Sequence, residues 1–314
     1  MKIVLLESLG CAPEIMEENA AKLAAQGHKF EAWEKSGDIE TLKKRVKDAD
    51  VIMLANMPLP AEVLEAAPNA KFIDVAFTGV DHIPLEDAKK RAIAVSNASG
   101  YADDAVAELT ASFMIQLLRD LDRAQEACRD GKTKAGLRAN LLRGKVVGII
   151  GAGSIGKRVA ALCKAFGAKV IAHNRHAVSD PNIDANVPLD ELLATADIVT
   201  LHTPLTPETR GLIGRRELDA MKNSAFLINT ARGPVVDNQA LAEALNEGKI
   251  AGAAIDVFDM EPPLPPDYPL LHSKNTLVTP HLAFYSEESL NKRAETAFDN
   301  LHSWLLGNQK NKIC

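Results

Sequence analysis

Short apolar runs alternate with helical patterns along the first hundred residues. Four runs, KIVLL, VIMLA, KFIDVA and AIAVSN, are typical of buried parallel strands, and they cover residues 2–6, 51–55, 71–76 and 92–97. Helical segments separate them: one opens at Pro13 and stops at Gly27, and the others cover residues 39–47, 61–66 and 85–91. This alternation predicts a parallel sheet covered by helices.

A second and clearer series of the same kind begins at residue 145. Six predicted strands cover residues 145–150, 169–174, 197–202, 225–230, 252–258 and 276–279. The predicted helices between them cover residues 155–166, 189–194, 215–221 and 238–247. Such a series predicts a doubly wound dinucleotide-binding domain. The Pro-rich segment 261–269 is expected to be an extended loop, and an amphipathic pattern over residues 287–306 predicts a last helix.

Between the two series lies a stretch without Pro, and without Gly until Gly131. Its apolar residues recur at three- and four-residue steps, which predicts one long helix over residues 103–128. The acidic pair Asp103 and Asp104 stands at the favourable N-terminal end of that helix. A helix of this length often bridges two domains or forms an oligomer interface; the alternative is an ordinary buried helix.

The composition narrows the class of protein. The 314 residues, 46% of them hydrophobic, suggest about two domains with sizeable cores. A formal net charge of -6 without a long Lys/Arg run disfavours nucleic acid and anionic membranes as partners. Cys11, Cys128, Cys163 and Cys314 are scattered, which indicates reduced thiols and predicts neither disulfides nor a metal site. Without a membrane span or a signal peptide, the chain is expected to be cytoplasmic.

A glycine-rich motif, GAGSIG at residues 151–156, follows the first strand of the second series and enters a helix. Two glycines allow a tight turn and close approach to a pyrophosphate, and the third lets the helix pack on the strand. N–H groups at the helix N-terminus then bind the phosphate charge. We therefore expect dinucleotide contacts, against the alternative of a purely structural turn, from Gly151, Gly153, Ser154, Ile155 and Gly156.

The end of the next strand bears on the choice of cofactor. NAD sites usually carry Asp or Glu there, about 20 residues after the glycines, to bind the ribose 2′-hydroxyl. This chain has the sequence HNRH instead, which places Asn174 and Arg175 at the strand end. Arg175 can pair with a 2′-phosphate, which favours NADP(H) or the use of both cofactors. Alternatively, Arg175 stacks on adenine or faces solvent.

Three polar residues follow later strands of the second series. Arg232 follows the strand AFLINT, Glu261 follows AAIDVF after a few residues, and His281 follows LVT. Because the carboxyl ends of parallel strands form one crevice, these side chains are expected to converge beside the glycine loop. Taken singly, each has an ordinary structural or solvated explanation. Together they supply a carboxylate clamp, a proton donor and an orienting anion.

The segments LRGKVVGIIGAGSIG, LINTARGPVVD, AGAAIDVFDMEP and TPHLAFYSEES resemble those of the D-isomer-specific 2-hydroxyacid dehydrogenase family. The resemblance covers essentially the whole chain and matches the family's catalytic residues to Arg232, Glu261 and His281. It implies two doubly wound parallel-sheet α/β domains. A Rossmann cofactor domain, residues 99–285, would be inserted into a flavodoxin-like substrate domain formed by residues 1–98 and 286–314.

The resemblance also implies roles for single residues. Arg232 would hold the carboxylate of a 2-oxo acid, His281 would exchange a proton with its oxygen, and Glu261 would favour the charged imidazole. Asp256 would contact the nicotinamide carboxamide, unless it is only a strand-end cap. Gly79 and Val80 would bind the substrate carboxylate, unless Gly79 is only a turn glycine. Further cofactor contacts are expected from His202, Thr203, Pro204, Thr230 and Ala231.

The function implied is an oxidoreductase that interconverts a 2-oxo acid and a D-2-hydroxy acid by hydride transfer with NAD(P)H. Hydroxypyruvate and glyoxylate are the favoured substrates, and the family resemblance implies a homodimer. The alternative from another class is a dinucleotide-binding scaffold of the corepressor type with little turnover. Retention of Arg232, Glu261 and His281 favours the enzyme.

Overall fold

The computed structural model describes all residues, 1–314, and divides into two compact units. Unit 1 consists of Met1–Ala102 together with Tyr285–Cys314, and unit 2 consists of Asp103–Phe284. The chain therefore leaves unit 1 once and returns to it after completing unit 2. No helix has both the length and the hydrophobicity that crossing a bilayer requires.

Unit 1 contains a five-stranded parallel sheet with the order β2-β1-β3-β4-β5. Its strands are β1 Lys2–Leu5, β2 Lys29–Ala32, β3 Val51–Leu54, β4 Phe72–Val75 and β5 Ala94–Asn97. The first hundred residues also form helices α1 Pro13–Ala25, α2 Ile39–Val46, α3 Ala61–Glu65 and α4 Leu85–Lys90. The apolar pattern did not predict β2, because this edge strand is half-exposed and has the mixed sequence KFEA.

Unit 2 contains a seven-stranded parallel sheet with the order β12-β11-β10-β9-β6-β7-β8. Its strands are β6 Val146–Ile150, β7 Lys169–His173, β8 Ala185–Asn186, β9 Ile198–Leu201, β10 Phe226–Asn229, β11 Gly252–Ile255 and β12 Thr276–Val278. The helices are α5 Asp103–Arg119, α6 Leu121–Arg129, α7 Ser154–Ala165, α8 Leu189–Thr195, α9 Arg215–Ala220 and α10 Asn238–Glu247. The strand missed by the sequence pattern is β8, which has only two residues. The α/β class with two doubly wound parallel sheets is confirmed.

The prediction of one long helix over residues 103–128 was wrong. The helix breaks at Asp120, which has a left-handed backbone with φ 53°, so that α5 ends at Arg119 and α6 begins at Leu121. Aspartate tolerates this conformation better than most residues. The buried Asp120 carboxylate accepts hydrogen bonds from the Arg123 side chain and from the Arg138 backbone N–H, which stabilises the break.

Alternate residues of the unit 2 strands face opposite sides of the sheet. Ile150 and Ile171 belong to one buried apolar cluster, and Val147 and Ile149 belong to the other. The helix α5 contributes Phe113 and other apolar residues to the second cluster. Burial of both faces explains the nearly continuous apolar strands on which the sequence-based prediction rested.

The returning segment completes unit 1. Its helix α11, Glu287–Leu305, is capped by the Ser286 side chain and contributes Phe298 and Leu301 to the unit 1 core. Beyond it, the Ile313 N–H donates to the Val95 carbonyl, and the Val95 N–H donates to the carbonyl of Cys314. The two sequence-distant parts of unit 1 therefore share one core and are joined along β5.

Candidate active site

The predicted residues of unit 2 follow six of its seven strands, at the carboxyl edge of the sheet. The glycine motif follows β6, Asn174 and Arg175 follow β7, and the segment 202–204 follows β9. Arg232, Glu261 and His281 follow the neighbouring strands β10, β11 and β12. The strand order reverses between β6 and β9, which is where ligands bind in open α/β sheets. Gly79 and Val80 follow β4 of unit 1 instead.

The glycine motif closes tightly against the loop that follows β9. Gly151 has φ +94°, and a Cβ added there would lie 2.7 Å from the carbonyl carbon of His202. A Cβ on Gly156 would lie 2.4 Å from the Gly151 carbonyl oxygen. A side chain is therefore excluded at both positions, which supports the roles predicted for these glycines.

The first turn of α7 fits a bound anion. A Cβ on Gly153, the residue that precedes the helix, would meet nothing within 4 Å. No acidic residue occupies the first turn, and no side chain caps its N–H groups. The Ser154 hydroxyl bonds to the carboxylate of Asp103, a contact that the sequence did not suggest. The open space at Gly153 and the uncapped N-terminus of α7 together suit a pyrophosphate.

The end of β7 lacks a carboxylate, as its sequence indicates. The Asn174 side chain turns back to the glycine motif, and its Oδ1 accepts a hydrogen bond from the Ala152 N–H at 2.6 Å. Arg175 is exposed beside it. Asn174 therefore shapes the glycine loop, and Arg175 places a positive charge beside it.

The loop after β9 carries polar atoms without a partner in the chain. His202 Nε2 lies 3.0 Å from Thr200 Oγ1, and burial lowers the pKa of His202 to about 3, so its imidazole is neutral. His202 Nδ1 and Thr203 Oγ1 are buried atoms without a hydrogen-bond partner. Because buried polar atoms are usually hydrogen-bonded, these two are suited to contact a bound cofactor.

The loop that presents Arg232 is built around close backbone packing. A Cβ on Gly233 would lie 1.7 Å from the carbonyl oxygen of Phe258, so that only glycine can follow Arg232 here. The Asn229 side chain donates to the Arg232 carbonyl and accepts from the Ala231 N–H, both at 3.0 Å. The buried Thr230 hydroxyl bonds to Thr110 of α5. The ARG segment is thereby fixed at the edge of the sheet.

Glu261 and His281 form a hydrogen-bonded pair. His281 Nδ1 lies 2.9 Å from Oε2 and 3.0 Å from Oε1 of Glu261. The imidazole is largely enclosed, with 11% of its side chain exposed, whereas the Glu261 side chain is 58% exposed. The Phe284 ring packs edge-on against the imidazole, at 5.4 Å between centroids. A carboxylate on Nδ1 orients the ring, which is a requirement for a proton donor.

Asp256 organises the loop that carries His281. Its carboxylate is fully buried and accepts three hydrogen bonds, from the Thr279 hydroxyl at 2.6 Å and from the Leu282 and Ala283 N–H groups at 2.9 Å each. The His281 N–H donates to the Asp256 carbonyl, and His281 itself has φ 54°. These contacts match the capping alternative for Asp256. The family resemblance singled out Asp256, but the sequence did not show that this residue holds the loop after β12 by hydrogen bonds.

Comparisons with known proteins agree with this geometry. Residues 111–283 match the family model described as D-isomer specific 2-hydroxyacid dehydrogenase, NAD binding domain. A glyoxylate reductase of Thermofilum pendens is 40% identical over 291 residues, which are 89% of this chain and 85% of that protein. A hydroxypyruvate reductase of Blautia hydrogenotrophica is 33% identical over 287 residues, 88% of each chain.

Among solved structures, an acyclic imino acid reductase in complex with NADPH and D-Arg is similar over the full length of both chains. The TM-score is 0.92 and the sequence identity is 28%. The similarity therefore extends through both units and includes a protein with a bound nicotinamide cofactor.

Proposed function

The chain belongs to the D-isomer-specific 2-hydroxyacid dehydrogenase family, and from that premise we propose that it reduces glyoxylate and hydroxypyruvate. It is an oxidoreductase that interconverts 2-oxo acids and D-2-hydroxy acids with a nicotinamide cofactor. The corepressor-like alternative is not favoured, because the relatives are named as reductases and dehydrogenases. The single observation that carries the proposal is the hydrogen-bonded pair of His281 and Glu261.

The cofactor would be held at the carboxyl edge of unit 2. Gly151, Gly153 and Gly156 would hold the pyrophosphate with the N–H groups of Ser154 and Ile155. The loops after β9 and β10 would line the rest of the molecule, with contacts from His202, Thr203, Pro204, Thr230 and Ala231. Asp256 would act by holding the loop after β12 and not by a side-chain contact with the cofactor. When bound, the nicotinamide supplies or accepts the hydride.

The side chains of unit 2 handle charge and protons. The planar guanidinium of Arg232 would bind the carboxylate of the 2-oxo acid and fix its carbonyl group for hydride transfer. Because Glu261 takes Nδ1 of His281, we assign proton exchange with the substrate oxygen to Nε2. During reduction, imidazolium at His281 donates this proton to the developing alkoxide. During oxidation, neutral His281 removes it from the hydroxyl group.

Unit 1 would contribute backbone donors. We infer from the family resemblance that the Gly79 and Val80 N–H groups bind the substrate carboxylate. No hydrogen bond within the chain uses either N–H group as a donor. Two backbone amide donors suit a carboxylate better than a neutral group, which supports an acid as the substrate.

We further propose that the enzyme uses NADPH, or both NADPH and NADH. The β7 strand end has Arg175 and no carboxylate of its own, and Arg175 would pair with a 2′-phosphate in competition with Glu208, which lies within electrostatic range of it. A homodimer and a cytoplasmic location complete the proposal. Light scattering on the purified chain tests the dimer, because a monomeric mass at micromolar concentration would contradict it.

The decisive experiment measures the oxidation of NADPH and NADH with a panel of 2-oxo acids: glyoxylate, hydroxypyruvate, pyruvate, and branched and aromatic members. We expect the highest kcat/KM with glyoxylate and hydroxypyruvate as substrates and NADPH as cofactor. Arg175→Ala should raise the KM for NADPH by about 10-fold and leave that for NADH nearly unchanged, because it removes one charge-assisted contact.

The matched control is Arg216→Ala, which removes an exposed arginine of α9 that pairs with Glu217. It should change neither KM. Equal losses with both cofactors in Arg175→Ala would contradict the 2′-phosphate role. A complete lack of turnover across the panel would contradict the proposed function itself.

A further inference from the structure

Asn97, the last residue of β5, is held from three sides within unit 1. Its N–H donates to the Asn311 carbonyl at 3.2 Å, and its carbonyl accepts from Asn300 Nδ2 at 2.9 Å. Its own side-chain Nδ2 donates to the Thr78 carbonyl at 2.7 Å. Asn97 is 8% exposed, so both its position and its side-chain direction are fixed.

The Thr78 carbonyl belongs to the same peptide unit as the Gly79 N–H. A trans peptide is planar, and its N–H points opposite to its carbonyl. Fixing the oxygen from the Asn97 side therefore aims the Gly79 N–H away from Asn97. A hydrogen bond to the carbonyl also polarises the peptide unit and strengthens its N–H as a donor. A second hydrogen bond holds the same two segments together, since the Ala98 N–H donates to the Phe77 carbonyl at 3.0 Å.

Hydrogen bonds among buried polar side chains hold the residue that contacts the Asn97 carbonyl, Asn300, in place. Asn300 of α11 is fully buried and also donates to Asp74 Oδ1 in β4, at 3.2 Å. The side-chain oxygen of Asn300 accepts from the Asn311 side chain at 2.8 Å. Asn97 thus connects the returning segment of the chain to the loop after β4 by hydrogen bonds. Because Asp74, Asn97 and Asn300 are all buried, the bonds among them are shielded from competition by water.

We propose that Asn97 is a positioning residue for the substrate, because it aims the Gly79 N–H at the substrate carboxylate. This inference rests on the proposed binding of that carboxylate by Gly79 and Val80. It adds a residue that affects substrate affinity without touching the substrate. The bond from Asn97 to Thr78 is the part of the chain that matters for binding.

The first test replaces Asn97 by Ser, whose short hydroxyl does not reach Thr78. The KM for glyoxylate or hydroxypyruvate should rise about 10-fold, because the Gly79 N–H is no longer held in its binding direction by the hydrogen bond from Asn97. A tenfold change is what the loss of about one hydrogen bond produces. The kcat at saturating substrate and the Kd for NADPH should stay within about twofold, because His281 and the glycine motif are untouched. A KM for the oxo acid that stays within about twofold overturns the proposal.

The matched control is Asn311→Ala. It removes one hydrogen bond to Asn300 and leaves the bond from Asn97 to Thr78 in place. A lower melting temperature with an unchanged KM for the oxo acid is expected. If Asn311→Ala raised this KM as much as Asn97→Ser does, general loosening of unit 1 would explain both results and the specific role would be lost.

A measurement independent of turnover separates this inference from the proposed function. The chain has 19 glycines, so [15N]glycine labelling gives a short set of amide resonances, and Gly79→Ala identifies that of Gly79. In the folded wild type with NADPH, we expect oxalate to shift the Gly79 resonance. Asn97→Ser should move that resonance and abolish its response to oxalate.

Should Asn97→Ser fail to fold, the isosteric Asn97→Asp is used, since it replaces the donor by an acceptor and keeps the shape. An unchanged Gly79 resonance in the folded variant overturns the inference whatever the activity. A wild type without turnover on any oxo acid, but with the expected resonance changes, contradicts only the proposed function.

Discussion

Each unit of the molecule buries one aspartate on its parallel sheet, and the two are treated in opposite ways. Asp74 lies within β4 of unit 1, and Asp256 comes directly after β11 of unit 2. Both side chains are fully buried. Asp256 accepts three hydrogen bonds from the loop that carries His281, whereas Asp74 accepts one, from Asn300, and its second oxygen is buried without a partner.

Equal burial therefore goes with unequal hydrogen bonding at the two carboxyl groups. At Asp74, desolvation outweighs the single bond from Asn300 and raises the pKa of the carboxyl well above its usual value. The carboxylate that braces a catalytic loop is fully supplied with donors, and the one that only completes a polar chain is not.

The largest effect should follow Asp256→Asn. The new amide turns an NH2 group toward donors that now lack an acceptor, which should lower the free energy of unfolding by about 3–5 kcal/mol. The His281 loop should lose its fixed position, and kcat should fall by about 10²-fold or more. Urea unfolding and steady-state kinetics measure the two effects. A variant with wild-type kcat would show that Asp256 does not position the loop.

A variant of intermediate effect separates activity from stability. His281→Ala should lower the reduction rate by about 10²–10⁴-fold because the proton donor is lost. Its free energy of unfolding should stay within about 1 kcal/mol of wild type, since the three bonds to Asp256 involve neighbouring groups and not the imidazole. Fluorescence titration should show unchanged NADPH binding. An unchanged rate would remove His281 from the mechanism.

The sequence placed the candidate site residues of unit 2 after the strands where the structure has them, but it did not predict the contacts that hold their loops. A local pattern is enough to single out the GAGSIG motif, the HNRH strand end and the residues Arg232, Glu261 and His281. Their residue types indicate the chemistry, and each follows a predicted strand. The bracing role of Asp256 depends on where the chain returns 23 residues later, which no local pattern encodes. The contact between Asp103 and Ser154 was invisible for the same reason.

Predictions that relied on periodicity alone failed where a single residue interrupts it. The pattern over residues 103–128 is helical on both sides of Asp120, and only the tertiary contacts of its carboxylate with Arg123 and Arg138 stabilise the left-handed break. The strands β2 and β8 were missed because their residues are partly exposed and form no apolar run, and β8 has only two residues. In physical terms, the sequence predicted what burial dictates and missed what long-range polar contacts dictate.

The smallest effect on activity is expected for Asp74→Asn. Its effect on the free energy of unfolding should be opposite in sign to that of Asp256→Asn. The amide oxygen can accept the bond from Asn300, and the NH2 group takes the place of the unpartnered oxygen, so the variant resembles the protonated carboxyl. The KM for the oxo acid and the kcat should stay within about twofold, because Asn300 keeps its bond to the Asn97 carbonyl.

The sign of the stability change follows from the raised pKa of Asp74. A carboxyl with a raised pKa in the folded state contributes its full stability below the unfolded pKa, about 3.9, and loses it as the pH rises toward the folded value. The amide that replaces it does not titrate, so Asp74→Asn should become progressively more stable than wild type as the pH rises above about 4 in urea unfolding. If the difference were constant with pH, the pKa of Asp74 would not be raised, and the shortage of hydrogen-bond donors at Asp74 would have no consequence for stability.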